Sequence, residues 1–102
     1  MKTIEERVQQ SLLAAIDELN LGLPAKSRLG KDPDAVLFGE AGKLDSLALA
    51  TLVILSEQKI AEEFGAPISL ASERAMSRKR SPFHTVRTMA EYASELLKET
   101  SN

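Results

Sequence analysis

The chain of 102 residues contains no cysteine and no tryptophan, one histidine, one tyrosine and three phenylalanines. Without cysteine there is no disulfide, no thiolate metal site and no cysteine nucleophile, a usage that fits a reducing compartment. With so few aromatics a base-stacking surface is not expected. The net charge of −2 lacks the basic excess of nucleic-acid-binding proteins. The charged start "MKTIEERVQQ" is followed by no apolar run of membrane-spanning length, so neither a signal peptide nor a membrane span is expected. The expectation is a soluble, cytoplasmic protein of one domain over 1–102. A chain of this size buries roughly 60% of its unfolded surface, enough for one modest core. Strand alternation and internal repeats are also missing.

What is present is helical periodicity. Ile4, Val8, Leu12, Ala15, Ile16 and Leu19 recur at spacings of three and four. Thr3 with Glu6 makes a capping box, and Asn20, Gly22 and Pro24 supply a stop. Residues 20–45 carry no sustained period and are punctuated by glycine and proline, a long loop in which Val36, Leu37 and Phe38 are expected to pin the chain to the core. A second helix starts at Asp45 or Ser46, with Leu49, Leu52, Val53, Ile60 and Phe64 facing inward and Gly65 then Pro67 ending it. "APISLASERAM" reads as a short extended stretch through Ile68 and Leu70, then a brief helix from Ala71 to Met76. Ser81 can cap a last helix with Pro82 in its first turn, and Val86, Met89, Ala90, Ala93, Leu96 and Leu97 form its stripe. The predicted fold is an all-α small bundle of three long helices and one short one, over about 3–19, 46–64, 71–76 and 82–98.

The stretch "GKLDSLALATL" places Asp45 and Ser46 where the loop becomes an apolar helix. Three readings compete for Ser46. It is a helix cap; or a nucleophile; or a residue modified by another enzyme. A nucleophile needs a base within reach and a group to orient that base. The one histidine, His84, reads as an exposed residue in the first turn of the last helix, and no Gly-x-Ser-x-Gly elbow or metal-ligand spacing is present. A self-contained hydrolase is therefore disfavoured. A hydroxyl in a helix's first turn is exposed, carries no tertiary duty, and would place an attached phosphate near free backbone N–H groups and the positive end of the helix dipole.

"GKLDSLALATLVILSEQKIAEEFGAPISL" followed by "SPFHTVRTMAEYASELL" resembles the acyl carrier proteins, over about Leu37 to Leu97. Asp45-Ser46-Leu47 is similar to that family's Asp-Ser-Leu attachment motif. The resemblance implies a non-catalytic carrier. Ser46 would bear a covalent 4′-phosphopantetheine arm transferred from coenzyme A by a phosphopantetheinyl transferase, and the arm's thiol would hold acyl intermediates as thioesters for acyl-loading and acyl-processing enzymes. A monomer is expected. Asp45 would cap the helix and contact the transferase. Leu47 would meet partners or pack in the core, two readings that periodicity leaves even, and Ala48 and Thr51 would permit close approach on the outer face.

Three features depart from the family's pattern. No acid follows Ser46 before Glu57, the second helix is about one turn longer, and Arg74, Arg78, Lys79 and Arg80 gather where acids are common. They point away from housekeeping fatty-acid synthesis and toward a specialised fatty-acid, lipid or polyketide-type pathway. A peptidyl or aminoacyl carrier of an amino-acid-activating assembly line shares the motif, and an unmodified helical interaction module is the alternative of a different class. The basic cluster is either a solvated loop or a docking site for an acidic partner face. If it docks, reversing Arg78, Lys79 and Arg80 to Glu slows acyl loading by a cognate enzyme at low salt. Unchanged loading kinetics would assign the cluster to a solvated loop.

Overall fold

The computed structural model describes residues 3–38, 42–71 and 82–100. Among the described residues the α-helices are α1 (Ile4–Asn20), α2 (Ser46–Phe64) and α3 (Val86–Thr100), and no strand occurs. The long helix α1 packs against both α2 and α3. No helix among the described residues is long and apolar enough to cross a membrane. The expected short helix over 71–76 falls on residues 72–76, and with it Arg74, Arg78, Lys79, Arg80 and Ser81; all lie outside the described residues.

Local rules set the ends of α1 and α2. Thr3 accepts the Glu6 N–H while the Glu6 carboxylate accepts the Thr3 N–H, which satisfies two otherwise orphaned donors. The Asp45 carboxylate caps α2, and Gly65 ends it with φ 67°, a left-handed conformation that glycine adopts without a Cβ penalty. The stop of α1 works differently from the expectation. Leu21 remains in right-handed geometry, and the Asn20 carboxamide bonds both the N–H and the C=O of Leu29 at 2.9 Å. That side chain thus pairs with the loop and seals Leu29 under the end of α1.

The core runs through Val8, Leu12, Ala15 and Ile16 of α1, Leu52, Val53 and Ile60 of α2, and Val86, Met89, Ala90, Tyr92 and Ala93 of α3. Loop residues Leu37, Leu44 and Leu70 complete it. Ile4 is exposed, and Leu49 and Phe64 are half-buried, so the stripes are narrower at their ends than periodicity suggested. Two residues outside the expected stripes are fully buried: Tyr92 and Ser56, whose hydroxyl finds no hydrogen-bond partner.

α3 begins at Val86 rather than near 82. The cause is tertiary. Thr85 pairs in an antiparallel bridge with Val36, which requires extended backbone and forbids helix at that residue. Thr85 and Thr88 then exchange side-chain bonds to each other's N–H at 3.1 and 3.0 Å, and this pair caps the helix. The same junction holds the first loop. Leu37 donates to the His84 carbonyl at 2.7 Å, Arg87 N–H donates to Pro33 O at 2.9 Å, and the Arg87 guanidinium bonds both carboxylate oxygens of Asp34.

That guanidinium holds the Asp34 carboxyl below its ordinary range. A depressed folded-state value contributes stability above the ordinary carboxylate pKa of about 3.9, and the contribution is lost as pH falls through the lowered value. The pair is exposed, so solvent keeps the effect small. Asp34→Asn is therefore expected to lose less stability than wild type between about pH 5 and about pH 3, read as the change in urea midpoint.

Candidate functional site

The candidate site forms where the first loop delivers the chain to α2. Leu37 is the anchor. Its side chain is buried, its N–H bonds the start of the α3 segment, and its carbonyl accepts the Leu44 N–H at 3.0 Å. Leu44 is buried as well, so the chain doubles back at Leu37 and emerges at Asp45 on the surface. Gly42 makes this return possible. A Cβ there would lie 2.6 Å from Leu37 O and from Phe38 N and Cα, all backbone atoms that cannot swing aside.

Asp45 Oδ1 accepts the Ala48 N–H at 2.8 Å, and Asp45 O accepts the Leu49 N–H at 2.9 Å. Ser46 is the first residue of α2 and is exposed. Among the described residues nothing hydrogen-bonds its hydroxyl. The cap is thus the work of Asp45, and Ser46 is released from that duty. Asp45 also modifies the anion argument made from sequence. One N–H of the first turn is already taken by a carboxylate, which offsets part of the positive end of the dipole.

Leu47 is 78% exposed, which resolves its two readings in favour of the surface. Thr51 is exposed, one turn on, and its hydroxyl donates back to Leu47 O at 3.0 Å. Ile54, a turn further along, is 55% exposed. Ala48 departs from the outward placement expected of it; it is half-buried and packs against the core. Between Ser46 and Ser56 the helix carries no charge, so this face is apolar and neutral.

A groove of about 420 Å³ opens beside this face. Leu19 and Leu23 line it from the end of α1 and the loop, and Leu47, Ala48, Thr51 and Leu55 line it from α2. Glu18 and Asp45 also border it. Sequence reasoning missed this groove, because periodicity places Leu19 on a core stripe and says nothing of Leu23.

No catalytic constellation accompanies Ser46 among the described residues. His84 is exposed and lies two residues before α3, not in its first turn, and its backbone carbonyl is committed to Leu37. No cluster of three metal-ligating side chains occurs among the described residues. A second cleft of about 280 Å³ between α1 and α2 contains Arg7 and Lys59, but each is paired, Arg7 with Glu63 at 3.0 Å and Lys59 with Glu18 at 3.6 Å. No family model, no curated protein and no solved structure matches the chain.

The close approach at Gly42 generates a direct expectation. Gly42→Ala forces the 37–44 loop apart and costs about 1–3 kcal/mol in chemical denaturation, with the largest amide chemical-shift changes at Leu37, Leu44 and Asp45. A neutral effect with unshifted amides would show that the loop yields without strain.

Proposed function

We propose that the protein is a carrier of acyl thioesters, modified on Ser46 with 4′-phosphopantetheine by a separate transferase. The observation that carries this reading is the arrangement at the mouth of α2: an exposed Ser46 freed from capping by Asp45, and an exposed Leu47 beside it, in the order Asp-Ser-Leu.

The residues present fit such an arm. Its phosphate would hang from Ser46 Oγ, outside the core and in the first turn of a helix, whose leading N–H groups have no partner within the helix. In the transfer, Ser46 Oγ forms the new O–P bond, the pyrophosphate linkage of coenzyme A breaks, adenosine 3′,5′-bisphosphate leaves, and the hydroxyl proton passes to a base of the transferase. When attached, the arm supplies the thiol that this cysteine-free chain lacks. The chain's own contribution is to hold the attachment point rigidly, through the Leu37–Leu44 return, and to offer partners a neutral apolar face at Leu47, Thr51 and Ile54. Small contacts with fast dissociation suit a protein that must pass its cargo on. The uncharged start of α2 supports a specialised fatty-acid, lipid or polyketide-type pathway over a partner set that reads acidic helices.

Incubation of the protein with coenzyme A, magnesium and a broad-range phosphopantetheinyl transferase, followed by intact mass measurement, tests the reading. The expected result is the mass gain of one phosphopantetheinyl group, absent in Ser46→Ala. No gain with wild type would leave an unmodified interaction module as the better description.

A further inference from the structure

We infer that residues 21–28 and Lys43 form a preorganised cationic docking surface beside Ser46, and that its partner is a protein presenting an acidic face. This deepens the carrier reading, and rests on it for taking that partner to be an enzyme that works at Ser46.

Construction is the first argument. The Asn20 carboxamide clasps both backbone groups of Leu29 at 2.9 Å, so the loop leaves and returns at one point. Within it the Leu23 N–H donates to Asn20 O at 3.1 Å, and the Ser27 N–H donates to Pro24 O at 2.9 Å. The Arg28 guanidinium donates to Leu23 O at 3.1 Å, and Lys43 Nζ reaches across to Arg28 O at 3.3 Å. A compact loop closed at its ends and bonded to itself loses little further freedom on binding.

Charge is the second argument. Arg7, Lys31, Lys59 and Arg87 each pair with a carboxylate. Lys26, Arg28 and Lys43 pair with none among the described residues, and all three are exposed. Arg28 and Lys43 bond backbone carbonyls instead, which leaves their charge uncompensated. In a chain of net charge −2 this is a local reversal of sign. Its field complements carboxylates on a facing surface and speeds encounter with them.

Position is the third argument. Leu23, whose carbonyl holds the Arg28 guanidinium, lines the groove together with Leu47, and Lys43 lies just ahead of Asp45 and Ser46. Leu21 at the start of the loop and Leu47 beside Ser46 are 81% and 78% exposed, and they supply apolar contacts to the same partner. An anionic lipid surface is the competing occupant. A plane of uniform negative charge would also press on Glu18 and Asp45, which border the groove. A protein face can set carboxylates against the cations and leave those two positions to neutral or donor groups.

The test is an amide NMR titration of the full chain with three probes. They are a helical peptide displaying glutamates at i, i+4 and i+7 around one leucine, its lysine counterpart, and vesicles of phosphatidylcholine with phosphatidylglycerol. The glutamate peptide is expected to shift Leu21, Lys26, Arg28, Lys43 and Leu47, with affinity falling roughly tenfold between about 20 and about 200 mM salt. Combined Lys26→Glu, Arg28→Glu and Lys43→Glu is expected to abolish binding, and Lys98→Glu, on the last turn of α3, to leave it within about twofold. Asn20→Ala opens the clasp with every charge in place and is expected to weaken binding several-fold. Binding that survives the triple reversal, equal binding of the lysine peptide, shifts centred elsewhere, wild-type affinity in Asn20→Ala, or vesicles bound in preference to the glutamate peptide would each overturn the inference. These titrations need no arm on Ser46, so their failure leaves the mass result untouched. Absence of a mass gain, in turn, defeats the carrier reading and the enzyme partner with it, whatever the peptide does.

Discussion

One peptide unit organises this molecule. The Leu37 N–H bonds the chain just ahead of α3, and the Leu37 carbonyl bonds the chain just ahead of α2. Both bonds are made by backbone, over a side chain that is fully buried, so neither can be given up cheaply. Through them the start of α2 is fixed with respect to α3, although the two helices approach each other mainly through α1. The salt bridge from Arg87 to Asp34 reinforces the same junction from outside, but it is exposed and contributes less.

This arrangement separates stability from presentation along α2. Its middle, at Leu52, Val53, Ser56 and Ile60, is buried, while Leu47, Thr51 and Ile54 near its start face solvent. The low amphipathicity visible in "LALATLVILS" follows from this: one apolar face belongs to the core and a second is left uncovered. A partly uncovered apolar face, uncharged and adjacent to an exposed serine, is a surface suited to transient contact. Ser56 is the converse, a hydroxyl sealed in the core with no partner; its burial has no physical account in the contacts present.

Those features that depend on neighbours in sequence were legible before the structure. Thr3 and Glu6, Asp45, and Gly65 all act through bonds or torsions confined to one helix turn, and each does what its residue type requires. The stripe of Val8, Leu12, Ala15, Ile16 and Leu19 is legible for the same reason. What failed depended on distant chain. Pro82 forms a plausible helix start, yet pairing of Thr85 with Val36 delays α3 by four residues, and no rule local to 82–86 contains Val36. Gly42 looks in sequence like one more loop glycine, and only the proximity of Leu37 and Phe38 shows why a side chain is forbidden there. Leu47 could not be assigned because a helix with two apolar faces has two consistent orientations. Of the candidate site, Ser46 and its cap were readable and the groove was not, since it requires α1 and α2 to be placed side by side.

The Leu37–His84 bond joins parts of the chain far apart in sequence, and closing so long a loop is entropically costly until the helices have packed. Ribosomal synthesis runs from the N-terminus, so Ser46 is made well before the segment that frames it. An unfinished chain that ends before residue 84 has no His84 carbonyl to hold Leu37 in place. The Leu44 side of the Leu37 peptide therefore needs only chain already made, whereas its His84 side joins the fold once the segment ahead of α3 has been synthesised.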